Sequence, residues 1–221
     1  MQACLTGHFI TLEGPEGSGK STHIRRLADR LKAADHDVVV TREPGGTPLG
    51  EAIRGLLQHD TAGESPVPRA EVLLFCASRA QLVQTVIRPA LERGAWVLSD
   101  RFADSTFAYQ GFGRGLELAE LQTANAFATG GLVPDLTLLL DLDEDNARRR
   151  ITMRYGTEAA ADRFEREPPD FHARLREGFL ALAAAEPQRF RVIPSGRALE
   201  DVADDVWQAV CDRFSDVPGA T

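Results

Sequence analysis

The ten residues from Glu13 to Thr22, EGPEGSGKST, constrain the fold of this chain more than any other stretch. They contain G-x-x-x-x-G-K-[ST] from Gly14 to Ser21. The apolar run Phe9-Ile10-Thr11-Leu12 leads into them, and Ile24, Leu27, Ala28 and Leu31 follow at i, i+3, i+4, i+7. The order is therefore strand, glycine-rich loop, helix. Glycines 14, 17 and 19 let the backbone turn tightly and bring amide groups close to an anion, while the first helical turn adds the positive end of its dipole. In such a loop Lys20 reaches the β and γ phosphates of a nucleotide, and the Ser21 hydroxyl ligates Mg²⁺. A glycine-rich turn that merely caps a helix is the alternative, and the strand before it and the helix after it weigh against that. The motif points to a nucleoside triphosphate without naming a reaction.

Downstream, strand-like and helix-like segments alternate. Asp37 to Thr41, Ala95 to Ser99, Leu136 to Leu142 and Phe190 to Ile193 read as buried strands. Helical periodicity runs from Pro68 to Leu91, where Pro89 is expected to kink or end it. It returns from Leu116 to Thr129, closed by Gly130-Gly131, and from Asp143 to Arg154 with Asp143 as N-cap. A last helix carries Leu199, Val202, Val206 and Val210 on one face, and Ser215 to Thr221 has no pattern and reads as a frayed tail. Five strands alternating with helices after a phosphate loop imply an α/β chain of the P-loop NTPase fold class: a five-stranded parallel sheet flanked by helices on both faces. At 221 residues, one domain over 1–221 is the default.

Composition bounds the partners. A net charge of -8 speaks against a general nucleic-acid or membrane surface, so an anionic substrate must meet a local cluster of arginines. Cysteines 4, 76 and 211 are far apart and the histidines lack paired ligand spacing, so disulfides and zinc are not expected. No long apolar span and no signal-peptide pattern stand out, which reads as a cytoplasmic protein without membrane contact.

Several loops leave the carboxyl ends of these strands, where open α/β sheets bind ligands. Arg42 lies in the first of them and is either a phosphate clamp or a surface arginine in a turn. Asp100-Arg101 ends the third strand; a carboxylate there serves a metal or phosphate site, and the adjacent guanidinium offers a fork for phosphate. Phe75 and Arg79 are four apart on one helix face and could sandwich and hydrogen-bond a base, but by themselves read more simply as core and rim. The arginine-rich, glycine-broken stretch about 148–166 reads as a short mobile lid, with a solvated helix face as the plainer reading.

The motifs EGPEGSGKST, TREPGGTPLGE, EVLLFCASRAQL, DRFADSTFAYQGFGRG and PDLTLLLDLD, in this order, closely resemble those of bacterial thymidylate kinases, and the resemblance spans about residues 8–210. It implies phosphoryl transfer from ATP to dTMP with Mg²⁺ as cofactor, by a homodimer. On the nucleotide side it implies Gly14, Pro15, Glu16, Gly17, Ser18, Gly19, Lys20, Ser21 and Thr22, with Ser195 and Arg197 near adenine, although Pro194 stands where many relatives have aspartate. On the acceptor side it implies Phe75 stacked on thymine, Arg79 bonded to it, and Thr106 and Gln110 helping to read it. Arg42 and Arg101 would hold the 5′-phosphate, Glu16 would meet the sugar hydroxyl, and Tyr109 would crowd the 2′ position. Ser21 and Asp100 would serve the metal. Gly17 stands in the phosphate loop where the other branch of the family has arginine, which implies a catalytic arginine from the lid: Arg154 first, Arg150 second. Alternatives are a deoxynucleoside kinase, a kinase for another nucleoside monophosphate, or a nucleotide-dependent switch; the last is weakened by the lack of N-K-x-D.

Overall fold

A computed structural model describes residues 5–59, 63–155, 162–215 and 217. Five strands form one parallel sheet in the order β2-β3-β1-β4-β5: β1 (His8–Glu13), β2 (Val38–Arg42), β3 (Trp96–Asp100), β4 (Leu136–Asp141) and β5 (Phe190–Pro194). All ladders are parallel, with Leu12 opposite Asp100, Arg42 opposite Asp100, and Asp141 opposite Pro194. The strands carrying the site therefore stop at one level.

Alternation along the strands divides the core between the two faces of the sheet. Ile10, Leu12, Leu98, Leu138 and Leu140 pack against Ile24, Leu27, Ala28 and Leu31 of α1 (Lys20–Ala33) and against Val202, Val206 and Val210 of α9 (Leu199–Arg213). On the opposite face Phe9 and Val97 meet Leu82, Val83 and Ile87, and Leu139 meets Phe171, Leu175 and Phe179 of α8 (Pro169–Ala185). The four apolar positions expected in α1 are all buried. In α9 Leu199 is exposed, because it occupies the first turn, ahead of the stripe that reaches the sheet.

Several boundaries differ from the sequence reading, each for a local reason. The helix beginning at Pro68 runs to Glu92, one residue beyond the expected Leu91, so Pro89 does not end it. It runs as α3 (Pro68–Leu82), a stretch of wide i→i+5 turns (Val83–Ile87) and α4 (Arg88–Glu92). Proline has no N–H and its ring collides with the carbonyl four residues back, so a wider preceding turn lets the helix continue. By length and composition this Pro68–Glu92 helix could cross a membrane, contrary to the expectation of no long apolar span; 44% of its apolar window is buried within the fold. A helix with no sequence expectation, α2 (Pro48–Gln58), starts at Thr47, whose side chain accepts from the Gly50 N–H, and buries Ile53 and Leu57. α8 was likewise not expected. A second wide-turned segment, Phe107–Gly113, extends the short helix α5 (Ala103–Thr106). The expected Leu116 start moves to α6 (Leu118–Thr129), which ends at Gly130 with φ 58 as anticipated. In α7 (Glu144–Tyr155), Asp143 does cap: its carboxylate accepts from the Asn146 N–H at 2.9 Å. Val217 is buried in the cluster around α9, so the chain is still docked there, beyond Ser215. Residues 156–161 of the expected lid, 216 and 218–221 of the expected tail, and Cys4 lie outside the described residues.

Candidate active site

Above the carboxyl ends of β1, β2 and β3 lies a cavity of about 500 Å³. Its floor is the phosphate loop. Gly14 has φ 133, and a Cβ there would lie 2.4 Å from the Leu140 carbonyl oxygen, so neither conformation nor space admits another residue. Lys20 is buried, and its Nζ donates to the carbonyls of Gly14 (3.0 Å) and Pro15 (2.9 Å). Burial first, and then the nearby Arg101 guanidinium, push its pKa below the ordinary lysine value. Ser21 Oγ donates to Asp100 Oδ2 at 2.7 Å, joining the loop to the end of β3.

Arg101, one residue on, adopts the left-handed region with φ 73, uncommon for a residue other than glycine. That turn puts its guanidinium across the cavity: Nη1 donates to Gly14 O (3.1 Å) and Ser105 Oγ (3.1 Å), Nη2 to Tyr109 Oη (2.9 Å) and to Glu16. Burial opposes its charge, but Tyr109, Glu16, Glu13 and Asp100 outweigh this and hold it protonated. Beneath it Glu13, fully buried, accepts from Phe102 N (2.8 Å) and Ser105 Oγ (2.6 Å). Burial and then the neighbouring Asp104 push its carboxyl up to about 7.

The far wall reads as a polar slot with an aromatic side. Phe75, half-buried, lines it beside Phe164, their ring centroids 5.9 Å apart. Arg79 is 1% exposed, and its guanidinium makes four hydrogen bonds and an ion pair within the protein. Nε and Nη2 meet Glu43 (2.8 and 2.6 Å), Nη2 also Phe102 O (3.2 Å), and Nη1 meets Thr106 Oγ1 (3.0 Å) and Asn125 Oδ1. Thr106 and Gln110 line the slot on the helix that carries Tyr109.

Most of the expected site residues thus share one cavity: Glu16, Gly17, Gly19, Lys20, Ser21, Thr22, Arg42, Phe75, Arg79, Asp100, Arg101, Thr106, Tyr109, Gln110 and Arg150. Gly14, Pro15 and Ser18 form the loop behind, where Lys20 is tied. Arg42 is 55% exposed and bonded to Glu51, and it lines the cavity. Arg150 donates to Gly17 O (3.1 Å) and Ser195 O (2.9 Å), so it already bridges the phosphate loop to the loop after β5. Ser195 is buried with its hydroxyl on Asp141 O, and Arg197 pairs outward with Asp205; neither lines this cavity. The side chain of Arg154 lies outside the described part. Arg54, Asp162 and Phe164 also line the cavity and were not anticipated. Arg54 follows Ile53 in the unforeseen α2, and no short-range pattern signals the other two. Among the described residues no group of three or more His, Cys, Asp or Glu side chains is arranged to hold a metal by itself.

The geometry combines a triphosphate loop, a band of arginines, and a slot for a planar polar group. Comparison with known proteins agrees. A family model described as Thymidylate kinase matches residues 12–206. The chain is 54% identical to a thymidylate kinase of Deinococcus radiodurans, covering 94% of this chain and 98% of that one. It is 52% identical to one of Nitratidesulfovibrio vulgaris, covering 91% and 95%. The crystal structure of thymidylate kinase from Ehrlichia chaffeensis superposes with a TM-score of 0.73 at 31% identity, covering 92% of this chain and 98% of that one.

Proposed function

This chain belongs to the thymidylate kinase family and transfers the γ-phosphoryl group of ATP to dTMP, giving dTDP and ADP, and from that premise we propose a role for each side chain of the cavity. The observation that carries the proposal is that Lys20, Arg101, Phe75 and Gln110 line one continuous cavity.

The nucleophile is a phosphate oxygen of dTMP. With a second pKa near ~6 it is largely dianionic at neutral pH, so no strong general base is needed. What the protein must supply is in-line positioning of two anions that repel each other, and charge for a loose transition state. Lys20 turns from the Gly14 and Pro15 carbonyls to the β and γ phosphates. Arg101 holds the acceptor phosphate from between Glu16 and Tyr109, with Arg42 as the second, more exposed clamp. Ser21 Oγ and Asp100 Oδ2 are hard oxygen donors 2.7 Å apart, of the kind Mg²⁺ takes. Mg²⁺ held there supplies charge to the phosphate oxygens. Arg150 and Arg154, on the last turns of α7, bring the lid arginines.

At the other end Phe75 stacks on thymine, and Arg79, Thr106 and Gln110 read its edge. Arg79 does so through Thr106, its guanidinium being tied to Glu43, Phe102 O and Asn125. Glu16 meets the sugar hydroxyl and Tyr109 crowds the 2′ position. Ser195 and Arg197 belong to the adenine side. A homodimer and a cytoplasmic location complete the proposal; Leu73 on α3 and Phe127 on α6 are exposed at 65% and 91%, on two helices that pack together.

The test is ADP formation from Mg-ATP with dTMP, dUMP, UMP, dCMP, AMP and thymidine in turn. Strong preference for dTMP, weaker use of dUMP and none of thymidine is expected. Equal rates with all six would remove Phe75, Gln110 and Tyr109 from the reading role.

A further inference from the structure

Glu71 lies on α3 one turn before Phe75 and two turns before Arg79, so the three share a helix face. Its side chain is fully buried, and it does not line the cavity. Three side chains converge on its carboxylate. Gln110 Nε2 donates to Oε1 at 2.7 Å, and Arg163 Nη2 donates to Oε2 at 2.6 Å. Arg114 approaches both oxygens, at 3.2 and 3.4 Å. Arg163 also donates to Leu57 O at 3.0 Å, and Arg114 also pairs with Glu167. The carboxylate is thereby held in place from both sides.

A carboxylate only accepts, whereas a carboxamide has one accepting and one donating end. With Glu71 as its neighbour, the Gln110 amide has a single favourable orientation: nitrogen toward Glu71, because the reverse sets two acceptors against each other. The oxygen is then the end that Gln110 turns to the slot. Thr106 has the complementary polarity. Its Oγ1 accepts from Arg79 at 3.0 Å, which leaves the hydroxyl proton to be donated. The slot thus offers a donor beside an acceptor. A thymine or uracil edge presents an accepting O4 beside a donating N3–H, whereas a cytosine edge presents the reverse.

We propose that Glu71 is a positioning residue that sets the donor and acceptor polarity of the base-reading slot by fixing the Gln110 amide. This rests on the reading that Gln110 faces the base. Glu71 touches no substrate; it acts through its neighbour, and through Arg163 the same carboxylate steadies the turn that brings Phe164 beside Phe75. Sites built to bond a particular donor or acceptor reject the mismatched analogue by about 10⁴–10⁵. Part of that selectivity lies here with a side chain behind the wall.

The experiment compares dTMP with 5-methyl-dCMP, which keeps the methyl group and reverses only the pattern at positions 3 and 4. kcat/KM for each is measured with wild type, Glu71→Gln and Gln110→Ala. In Glu71→Gln the Gln110 amide faces a group that can donate or accept, so the dTMP to 5-methyl-dCMP ratio is expected to fall by about tenfold or more. A merely structural role would lower both activities together, and an unchanged ratio in Glu71→Gln overturns the proposal. The Gln110→Ala arm separates the layers. An unchanged ratio there removes Gln110 from the base and the underlying reading with it; a lowered ratio there, with Glu71→Gln at the wild-type value, overturns the role of Glu71 alone. Should Glu71→Gln fail to fold, neutron diffraction of the deuterated wild type with dTMP reads the same point. Deuterons on the Gln110 nitrogen facing Glu71 sustain the proposal, and a Gln110 oxygen facing Glu71 overturns it.

Discussion

Replacing Arg101 with lysine isolates what the guanidinium fork contributes. The side chain is 11% exposed, and its four hydrogen-bond partners come from two separate elements: Gly14 O and Glu16 from the phosphate loop, Ser105 and Tyr109 from the helix beyond β3. A lysine ammonium carries its protons on one atom and can replace the contacts of one Nη, here those of Nη1 to Gly14 O and Ser105 Oγ, but not those of both. The variant therefore loses the two Nη2 contacts. The one to Glu16 is charged on both sides and is worth about 1.5–3 kcal/mol, and the one to Tyr109 about half as much. The left-handed φ of 73 is equally unfavourable for both residues, so backbone strain cancels in the comparison. If the same fork also grips the acceptor phosphate in the transition state, on the order of 3–5 kcal/mol is lost there. That corresponds to about 10²–10⁴ in kcat/KM for dTMP. Folding stability should fall by about 2–3 kcal/mol, roughly 4–12 °C in Tm for a chain of this size. Coupled ADP-release kinetics over a dTMP titration at saturating Mg-ATP, with a calorimetric scan alongside, reads both quantities. A kcat/KM within threefold of wild type would refute the reasoning, because it would mean that a point charge suffices where the fork is claimed to be needed.

Three further outcomes are expected. The Glu13 carboxyl, pushed up to about 7 by burial and Asp104 from an ordinary 4.5, contributes stability that is fully present below about 4.5 and is lost as pH rises through about 7. At about 1.4 kcal/mol per pH unit this amounts to on the order of 3 kcal/mol, so Glu13→Gln should flatten the decline of the urea midpoint between pH 5 and 8; an unchanged slope rejects the assignment. Gly14→Ala should cost about 2 kcal/mol or more in urea unfolding, because its Cβ meets backbone at Leu140 that cannot swing aside, and wild-type stability would contradict the loop geometry. Arg154→Ala should depress kcat far more than it changes dTMP affinity, since its contact forms mainly in the transition state; if single-turnover rates show that pattern in Arg150→Ala instead, the catalytic arginine is the one already seated on Gly17 O.

Legibility from sequence followed the physics of each element. The sheet was readable because each strand is a short β-branched or leucine-rich run bounded by turn residues, and the loop because its glycines and lysine have fixed spacing. α2 escaped because it is a single amphipathic stretch of eleven residues, PLGEAIRGLLQ, broken by two glycines of low helix propensity. α8 escaped because PDFHARLREGFLALAAA follows a charged segment whose arginines drew the eye to a lid. The wide turns at 83–87 answer to Pro89, which reads from sequence only as a kink or an end, and those at 107–113 have no residue pattern that encodes them. Most residues that line the cavity were legible by motif. Those that act from behind, such as Glu13 and Glu71, were not, because a carboxylate four residues from a phenylalanine carries no sign of the amide it faces across the fold.

The pairing of Leu12 with Asp100 has an evolutionary corollary. The distance from phosphate loop to Asp100-Arg101 is a lattice spacing of the sheet, about 4.8 Å between neighbouring strands, and not the outcome of any connecting segment. Insertions can accumulate between β2 and α3 or between α7 and α8 without disturbing it, whereas one residue added inside β3 would shift the pair out of register and reverse the facing of both side chains. Lineages carrying this architecture are therefore free to diverge between α7 and α8 while the strand interiors are barred from any change in length.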